Sequence, residues 1–248
     1  MNISRNKECG SIPMDQIGRR FYLACVFVGH YGVSLAAKRW APDLSLGLLF
    51  VAVQALDVLF GGFVMTGIEK MSIVPGFTAY NPYDLYFMPY SHGLLGAFGW
   101  SLLVALFARG VLGRAGATAA LVLGICVFSH WLLDVPMHTP DMPIAGDHSM
   151  KIGLGLWRHR NLSLAAELVA LATGVWVWLR ATGGMGRSRI ITALFLGVLT
   201  ATLLATPFMP PPEGPTAFAI MALVSYAALA AIAAWVDHRR SALDSAER

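Results

Sequence analysis

Charge is what this 248-residue chain has least of: Asp, Glu, Lys and Arg make up 13% of it, against 56% hydrophobic residues. A soluble domain carries roughly a quarter charged residues, so an ordinary water-soluble globule is excluded. Long polar stretches, low-complexity linkers and internal repeats are also missing, which leaves one domain over residues 1–248 and rules out a solenoid. No basic run is interleaved with aromatic residues. The net charge of +4 therefore reflects Lys and Arg in short loops, and a nucleic-acid partner is not expected. Cysteine is scarce as well, and Cys9, Cys25 and Cys126 share no metal-binding spacing. Two of them lie in apolar runs, where a thiol behaves as a small hydrophobe.

What the chain does have is length in apolar segments. A helix needs roughly 20 mostly apolar residues to cross a bilayer, and seven segments qualify: Arg20 to Ala37, Leu44 to Met65, His92 to Leu112, Gly116 to Val135, Leu162 to Leu179, Ile190 to Pro207 and Ala217 to Val236. The expected fold is all-α, a polytopic membrane bundle of about seven transmembrane helices behind a polar segment, residues 1–19. A cleaved leader is the alternative reading of the first apolar run, which has a basic start and a small-residue end. Lys and Arg counts are nearly balanced between the two sides. "MPPPEGPT" before the last span has no basic residue and "DHRRS" after it has two, which favours a cytoplasmic tail and an outside amino terminus.

Of the fourteen acids, three fall inside these spans, Asp57, Asp134 and Glu167. An ionised carboxylate there costs at least about 2.5 kcal/mol unless it is paired. The spans hold no Lys or Arg away from their ends, so the available partners are His30, His92, His130 or a bound cation. By their places in the spans, these residues all lie toward one membrane face, with His30 somewhat deeper. A cavity under the loops Thr66 to Ser91 and Pro136 to Asn161 could hold them together. Carboxylates with neutral imidazoles and no base suit a divalent first-row ion, zinc first and manganese or iron as alternatives.

The stretch "FSHWLLDVPMHTPD" concentrates this chemistry. His130 and Asp134, four apart, share one helix face and can serve one ion or two adjacent ions. A hydrogen-bonded pair that stabilises helix contacts is the plainer alternative. Pro136 should end or kink the helix, turning the chain so that His138 could swing back over the site. His92 is expected to open the third span. Tyr83, Tyr86 and Tyr90 read as an interfacial aromatic belt, and Gly93, Gly96 and Gly99 as a stripe that admits a neighbouring helix. Asp141, Asp147 and His148 are candidate outer ligands. Arg158 and Arg160, flanking His159, suit a substrate phosphate or lipid headgroup. His238 reads as a juxtamembrane anchor.

The order His30, "LDVLF" with Asp57, "YSHGLLGAF" with His92 and "FSHWLLD" with His130 and Asp134 resembles the predicted membrane-bound metal-dependent hydrolases of the LexA-regulated inner-membrane (YdjM) type. The similarity covers roughly Phe27 to Leu168 and includes "LSLAAELV", with Glu167 at the family's later acidic position. That family is in turn similar to zinc-dependent phospholipase C and P1-type nucleases. The resemblance implies a bacterial inner-membrane protein in which His30, Asp57, His92, His130 and Asp134 are metal ligands and Glu167 a sixth. The chain departs from the family at Gln54–Asp57, where Pro-Asp-x-Asp is usual, and at Met88–His92, where His-Arg-Gly precedes Thr-His. His138 and Asp141 are candidate replacements. The two spans over residues 190–236 lie outside the resemblance.

Three functions follow as expectations. One is a membrane-embedded metal-dependent hydrolase acting on a lipid, phosphoester or other amphiphile, with Asp57 or Glu167 as proton acceptor. A transporter or channel for a metal ion or proton is the second, because buried His, Asp and Glu also build translocation paths. The third is a non-catalytic scaffold or haem-binding bundle.

Overall fold

The computed structural model describes residues 27–113 and 116–245. The polar segment 1–19, Cys9, Cys25 and the first part of the Arg20 to Ala37 span lie outside the described residues. The chain is mostly helical: α1 (Tyr31–Ala37), α2 (Leu46–Val53), α3 (Ala55–Thr66), α4 (Leu94–Leu112), α5 (Ala117–Met137), α6 (Arg160–Ala181), α7 (Arg189–Ala205) and α8 (Pro215–Ser245). Five helical stretches are long and apolar enough to cross a membrane: Leu94–Leu112, Ala117–Met137, Arg160–Ala181, Arg189–Phe208 and Pro215–Leu243. The described part of the first expected span is only a short 3-10 turn and α1.

The second expected span is not one helix but two, α2 and α3, bent by 55° where they meet. Gln54 is the joint, with φ −98° and ψ 10° outside the helical range. Breaks at membrane depth survive where other groups satisfy the freed backbone. Here the Val53 carbonyl, instead of a helical N–H, meets His130 Nδ1 at 2.8 Å. Pro136 behaves as its chemistry suggests: α5 ends one residue after it, at Met137, and His138 is already extended, with φ −62° and ψ 149°. The Val135 carbonyl just before it accepts the Leu154 N–H at 2.8 Å.

The two long loops are not wholly irregular. β1 (Lys70–Ile73) pairs antiparallel with β2 (Tyr83–Phe87), and β3 (Met142–Pro143) with β4 (Lys151–Ile152). Tyr83 is thereby buried in the hairpin and leaves the expected aromatic belt, while Tyr86 and Tyr90 stay exposed. The glycine stripe also works differently. Gly93 and Gly96 make room for the backbone of Pro89 and Tyr90, and Gly99 faces open space. The close helix approach is elsewhere: a Cβ on Gly32 would strike the Ala170 carbonyl, and one on Gly174 the Gly32 backbone. These two glycines let α1 lie directly on α6.

The end of the bundle remote from the loops is locked by ions. Lys38 Nζ donates to Asp237 Oδ2 at 2.9 Å and to the Pro42 and Leu44 carbonyls, and the same Asp237 oxygen accepts the Leu46 N–H at the start of α2. Arg240, over the Trp178 ring, donates to Thr192, Thr182 and the Gly184 carbonyl. His238 is exposed beside them, within α8 rather than in a tail beyond it. Removing one partner of a buried pair leaves an uncompensated charge. Lys38→Met should therefore lower stability by about 3 kcal/mol, with Lys38→Met/Asp237→Asn recovering much of it because a neutral amide still accepts the Leu46 N–H. Thermal melts in detergent check this; a single variant as stable as the unaltered protein would contradict it.

Candidate metal centre

Asp134, one turn before the end of α5, is the hub. Its Oδ1 lies 3.1 Å from His30 Nε2 and 3.8 Å from His138 Nε2. Its Oδ2 lies 3.2 Å from His130 Nε2 and 3.5 Å from His92 Nε2. Asp57, in the first turn of α3, turns Oδ1 toward the same two rings, 3.4 Å from His130 Nε2 and 3.3 Å from His92 Nε2. All four imidazoles and Asp134 are buried. The expected convergence of His30, Asp57, His92, His130 and Asp134 is what the fold produces, and His138 folds back over them as its place after Pro136 suggested.

The tautomers follow from the outer partners. His130 Nδ1 faces the Val53 carbonyl, which can only accept, so Nδ1 carries the proton and Nε2 presents a lone pair. Ser91 Oγ donates to Glu69 Oε2 at 2.5 Å and stands 2.8 Å from His92 Nδ1. With its own proton committed, Ser91 accepts from His92, and His92 Nε2 is also a bare lone pair. Asp141 Oδ1 takes the Nδ1 proton of His138 at 2.9 Å. Imidazoles held from behind at Nδ1, with Nε2 aimed inward, are the arrangement that metal ligands adopt. For His138, just beyond the α5 span, burial disfavours the charged ring, but Asp141 and Asp134 outweigh it and hold its pKa above the ordinary histidine range.

The cluster fits a cation on two counts. His130 Nε2 and Asp134 Oδ2 are buried without any hydrogen-bond partner, an expensive state unless something binds them. The spacing also fits. Four contacts join His92 and His130 to Asp57 and Asp134, at 3.3, 3.5, 3.4 and 3.2 Å, the separation of neighbouring ligand atoms around one ion with bonds of about 2.0–2.1 Å. Two ligand groups qualify by proximity, His30 with His130 and Asp134, and Asp57 with His92 and His130. They share His130, whose one free nitrogen can serve a single ion. These buried His and Asp clusters can hold a metal ion.

Other expected residues stand apart. Glu167 is buried beside the cluster, but its Oε2 accepts the Gly29 N–H at 2.7 Å and it belongs to neither ligand group. With Gly29 and His30 it lines a cavity of about 60 Å³ between α5 and α6. Asp141 supports His138 from behind. Asp147 pairs with Lys151 at 2.8 Å, and His148 is exposed, so neither is an outer ligand. Arg158 and Arg160 are separated: Arg158 borders a depression with Asp84 and Asp141, and Arg160 another with Asn81 and Phe218. His92 does not open its helix but precedes Gly93, the residue that caps α4.

Four participants were not foreseen, Ser91 behind His92 being the first. Glu69 Oε1 accepts the Tyr90 and Ser91 N–H groups while Oε2 holds the Ser91 hydroxyl. Tyr226 of α8 donates to Asp57 Oδ2 at 2.5 Å, leaving Oδ1 for the cluster. Val53 enters through its carbonyl alone.

Comparisons with protein families, with curated proteins and with solved structures give no match. Function has to be argued from the site's own atoms. Outer partners of this kind typically contribute 10–100-fold to metal affinity. Ser91→Ala and Tyr226→Phe should each weaken binding by about that factor without changing the helical circular dichroism, as read by competition with a chelator. Unchanged affinity in both would remove the supporting role assigned to them.

Proposed function

We propose that this protein is a membrane-embedded, metal-dependent hydrolase of a lipid, phosphoester or related amphiphile, in keeping with its resemblance to the YdjM-type hydrolases and with a place among about seven spans in a bacterial inner membrane. The observation that carries the reading is the meeting of two lone-pair imidazoles and two carboxylate oxygens at 3.2–3.5 Å, two of those atoms, His130 Nε2 and Asp134 Oδ2, being buried without a hydrogen-bond partner. His92, His130, Asp57 and Asp134 would hold one divalent ion, zinc by the donor set, with manganese or iron as alternatives. His30, His138 and Asp134 Oδ1 form a second, less crowded group on the other side of Asp134. Bound here, a divalent ion supplies Lewis acidity toward a phosphoryl or acyl oxygen and makes water acidic near neutral pH.

The chain's own groups divide the remaining work. Asp57 is fixed by Tyr226 and committed to the cluster, which suits a ligand better than a base. Glu167 is the better proton acceptor: it stands at the edge of the cluster beside His30, oriented by the Gly29 amide and reached by the small cavity between α5 and α6. Transport is less well supported. Below the cluster the interior is closed by Leu35, Leu46, Leu49 and Phe50, all nearly fully buried, before the next ionic groups at Lys38 and Asp237.

Elemental analysis of detergent-purified protein should find at least one tightly held zinc or manganese per chain. His130→Ala and Asp134→Ala should lose it, together with hydrolysis of phosphodiester or ester lipid analogues, while Glu167→Gln should keep the metal and lose at least about 100-fold in rate. Metal-free protein in which the His130 and Asp134 variants behave as the unaltered chain would sink the reading. Uptake of a divalent ion into liposomes, blocked by Asp57→Asn, would replace it with transport.

A further inference from the structure

The cavity of about 60 Å³ between α5 and α6 touches the cluster from the side. Leu133 and Pro136 of α5 and Ala166 and Ala170 of α6 frame it, all half-buried, and the buried His30 and Glu167 stand at its inner end. Local packing explains the gap. Spaced four apart, Ala166 and Ala170 share one face of α6 and fill little of it. The turn that carries His30 is pressed on the same helix, so closely that a Cβ on Gly29 would come within 2.9 Å of the Glu167 backbone. His30 and Glu167 are only 2% and 3% exposed, yet they are not sealed. Glu167 gives Oε2 to the Gly29 amide, and His30 gives Nε2 to Asp134. The atoms left over, Glu167 Oε1 and His30 Nδ1, are not among the unbonded atoms shut off from a water-sized probe, as His130 Nε2 and Asp134 Oδ2 are.

The loop end offers no comparable way in. Trp157 is fully buried there, stacked on Phe27 and with its ring centroid 4.1 Å from that of His138. Met88 and Met142 are buried as well. The larger cavities of that end, of about 230 and 400 Å³, are lined by none of the four cluster imidazoles.

Depth decides what the slot faces. Both of its walls, Ala117–Met137 and Arg160–Ala181, are long and apolar enough to cross a membrane. Glu167 follows the start of the second by about 10 Å at 1.5 Å per residue. Half the thickness of a hydrocarbon core is about 15 Å, so the mouth opens on acyl chains and not on water or headgroups. Size narrows the occupant further. At about 60 Å³ the slot exceeds the roughly 10–15 Å³ that one water needs and falls far short of the roughly 300–1,000 Å³ that encloses a drug-sized ligand. A narrow apolar slot takes a segment of hydrocarbon chain and leaves a hydrated headgroup outside.

We propose that this slot is the lateral entrance to the metal centre, and that the substrate is a membrane lipid admitted from the bilayer by its hydrocarbon chain, to the exclusion of water-soluble phosphoesters. Calling that lipid a substrate rests on the hydrolase reading; the entry of a lipid chain between α5 and α6 does not.

Proteoliposomes containing phosphatidylglycerol with a photoreactive diazirine in mid-chain test the entrance without any turnover. Irradiation should label His30 or Glu167, behind the slot, as read by peptide mass spectrometry. Ala166→Leu and Ala170→Leu should each lower that labelling by about 10-fold, because close-packed surroundings leave no room for the added carbons beside a chain. Ala165→Leu, exposed on the same helix and outside the slot, should leave it unchanged. Metal content and melting temperature, measured on every variant, should stay as they were, while hydrolysis of lipid analogues falls with the labelling. No label on His30 or Glu167 in the unaltered protein, or label that survives both plugging substitutions, overturns the entrance. A water-soluble phosphodiester hydrolysed as fast as the lipid analogue overturns the substrate assignment. Label that disappears with the plugs, in a protein that holds no metal and hydrolyses nothing, keeps the entrance and removes the hydrolase reading instead.

Discussion

A carboxylate inside a membrane protein has to be neutralised by something, and Asp134 is where this chain meets that demand. Each of its two oxygens faces a pair of imidazoles, and those imidazoles arrive on four different pieces of chain: the turn before α1, the loop before α4, α5 itself and the loop after it. Much of the architecture can be read as a means to that convergence. Gly32 and Gly174 bring α1 against α6 closely enough for His30 to reach the centre. The break at Gln54 gives up a helical hydrogen bond so that a carbonyl can hold His130. Glu69, buried in the loop above, uses both oxygens to fix Tyr90 and Ser91, and through Ser91 the ring of His92.

The two ends of the bundle solve the burial of charge differently. At the loop end, acids and imidazoles gather with no Lys or Arg among them, a composition that is satisfied only by protons or a cation. At the other end, Lys38 meets Asp237 and Arg240 is spread over two threonine hydroxyls, a carbonyl and an indole face, so each charge is matched within the chain. Between them the interior is mostly aliphatic and aromatic, with Ser34 and Gln54 as buried neutral polar side chains. One end is complete by itself and the other is not, and this difference separates the structural ion pairs from the candidate site.

Much of the site was legible because burial cost is a property of residue type and depth. Asp57, His92, His130 and Asp134 could be picked out by asking which polar groups lay in apolar spans, and the i, i+4 spacing on α5 put two of them on one face. What stayed hidden depends on contacts across the fold. Tyr226 looks like any tyrosine in an apolar run, and nothing local marks it as the partner of Asp57, 169 residues away. The Val53 carbonyl has no side-chain signature at all. Glu69 reads as one more loop acid until the loop folds inward. The unbroken second span failed for a related reason: "LGLLFVAVQALDVLF" contains neither Pro nor a conspicuous breaker, and the kink at Gln54 is imposed by what α5 needs from it. Pro136, by contrast, was a sound guide, since α5 stops one residue beyond it and the chain turns back to bring His138 to Asp134.

The break at Gln54 has a mechanical side. α2 ends at the carbonyl that grips His130, and α3 begins with Asp57, so the two halves of the bent segment are fastened to the same cluster from opposite sides of the joint. An ion shared by His130 and Asp57 would act as a splint across an elbow. α3 leads directly into the β1–β2 hairpin and to Glu69, which holds Ser91 behind His92, so the same elbow that places Asp57 also carries the support of the ring opposite it.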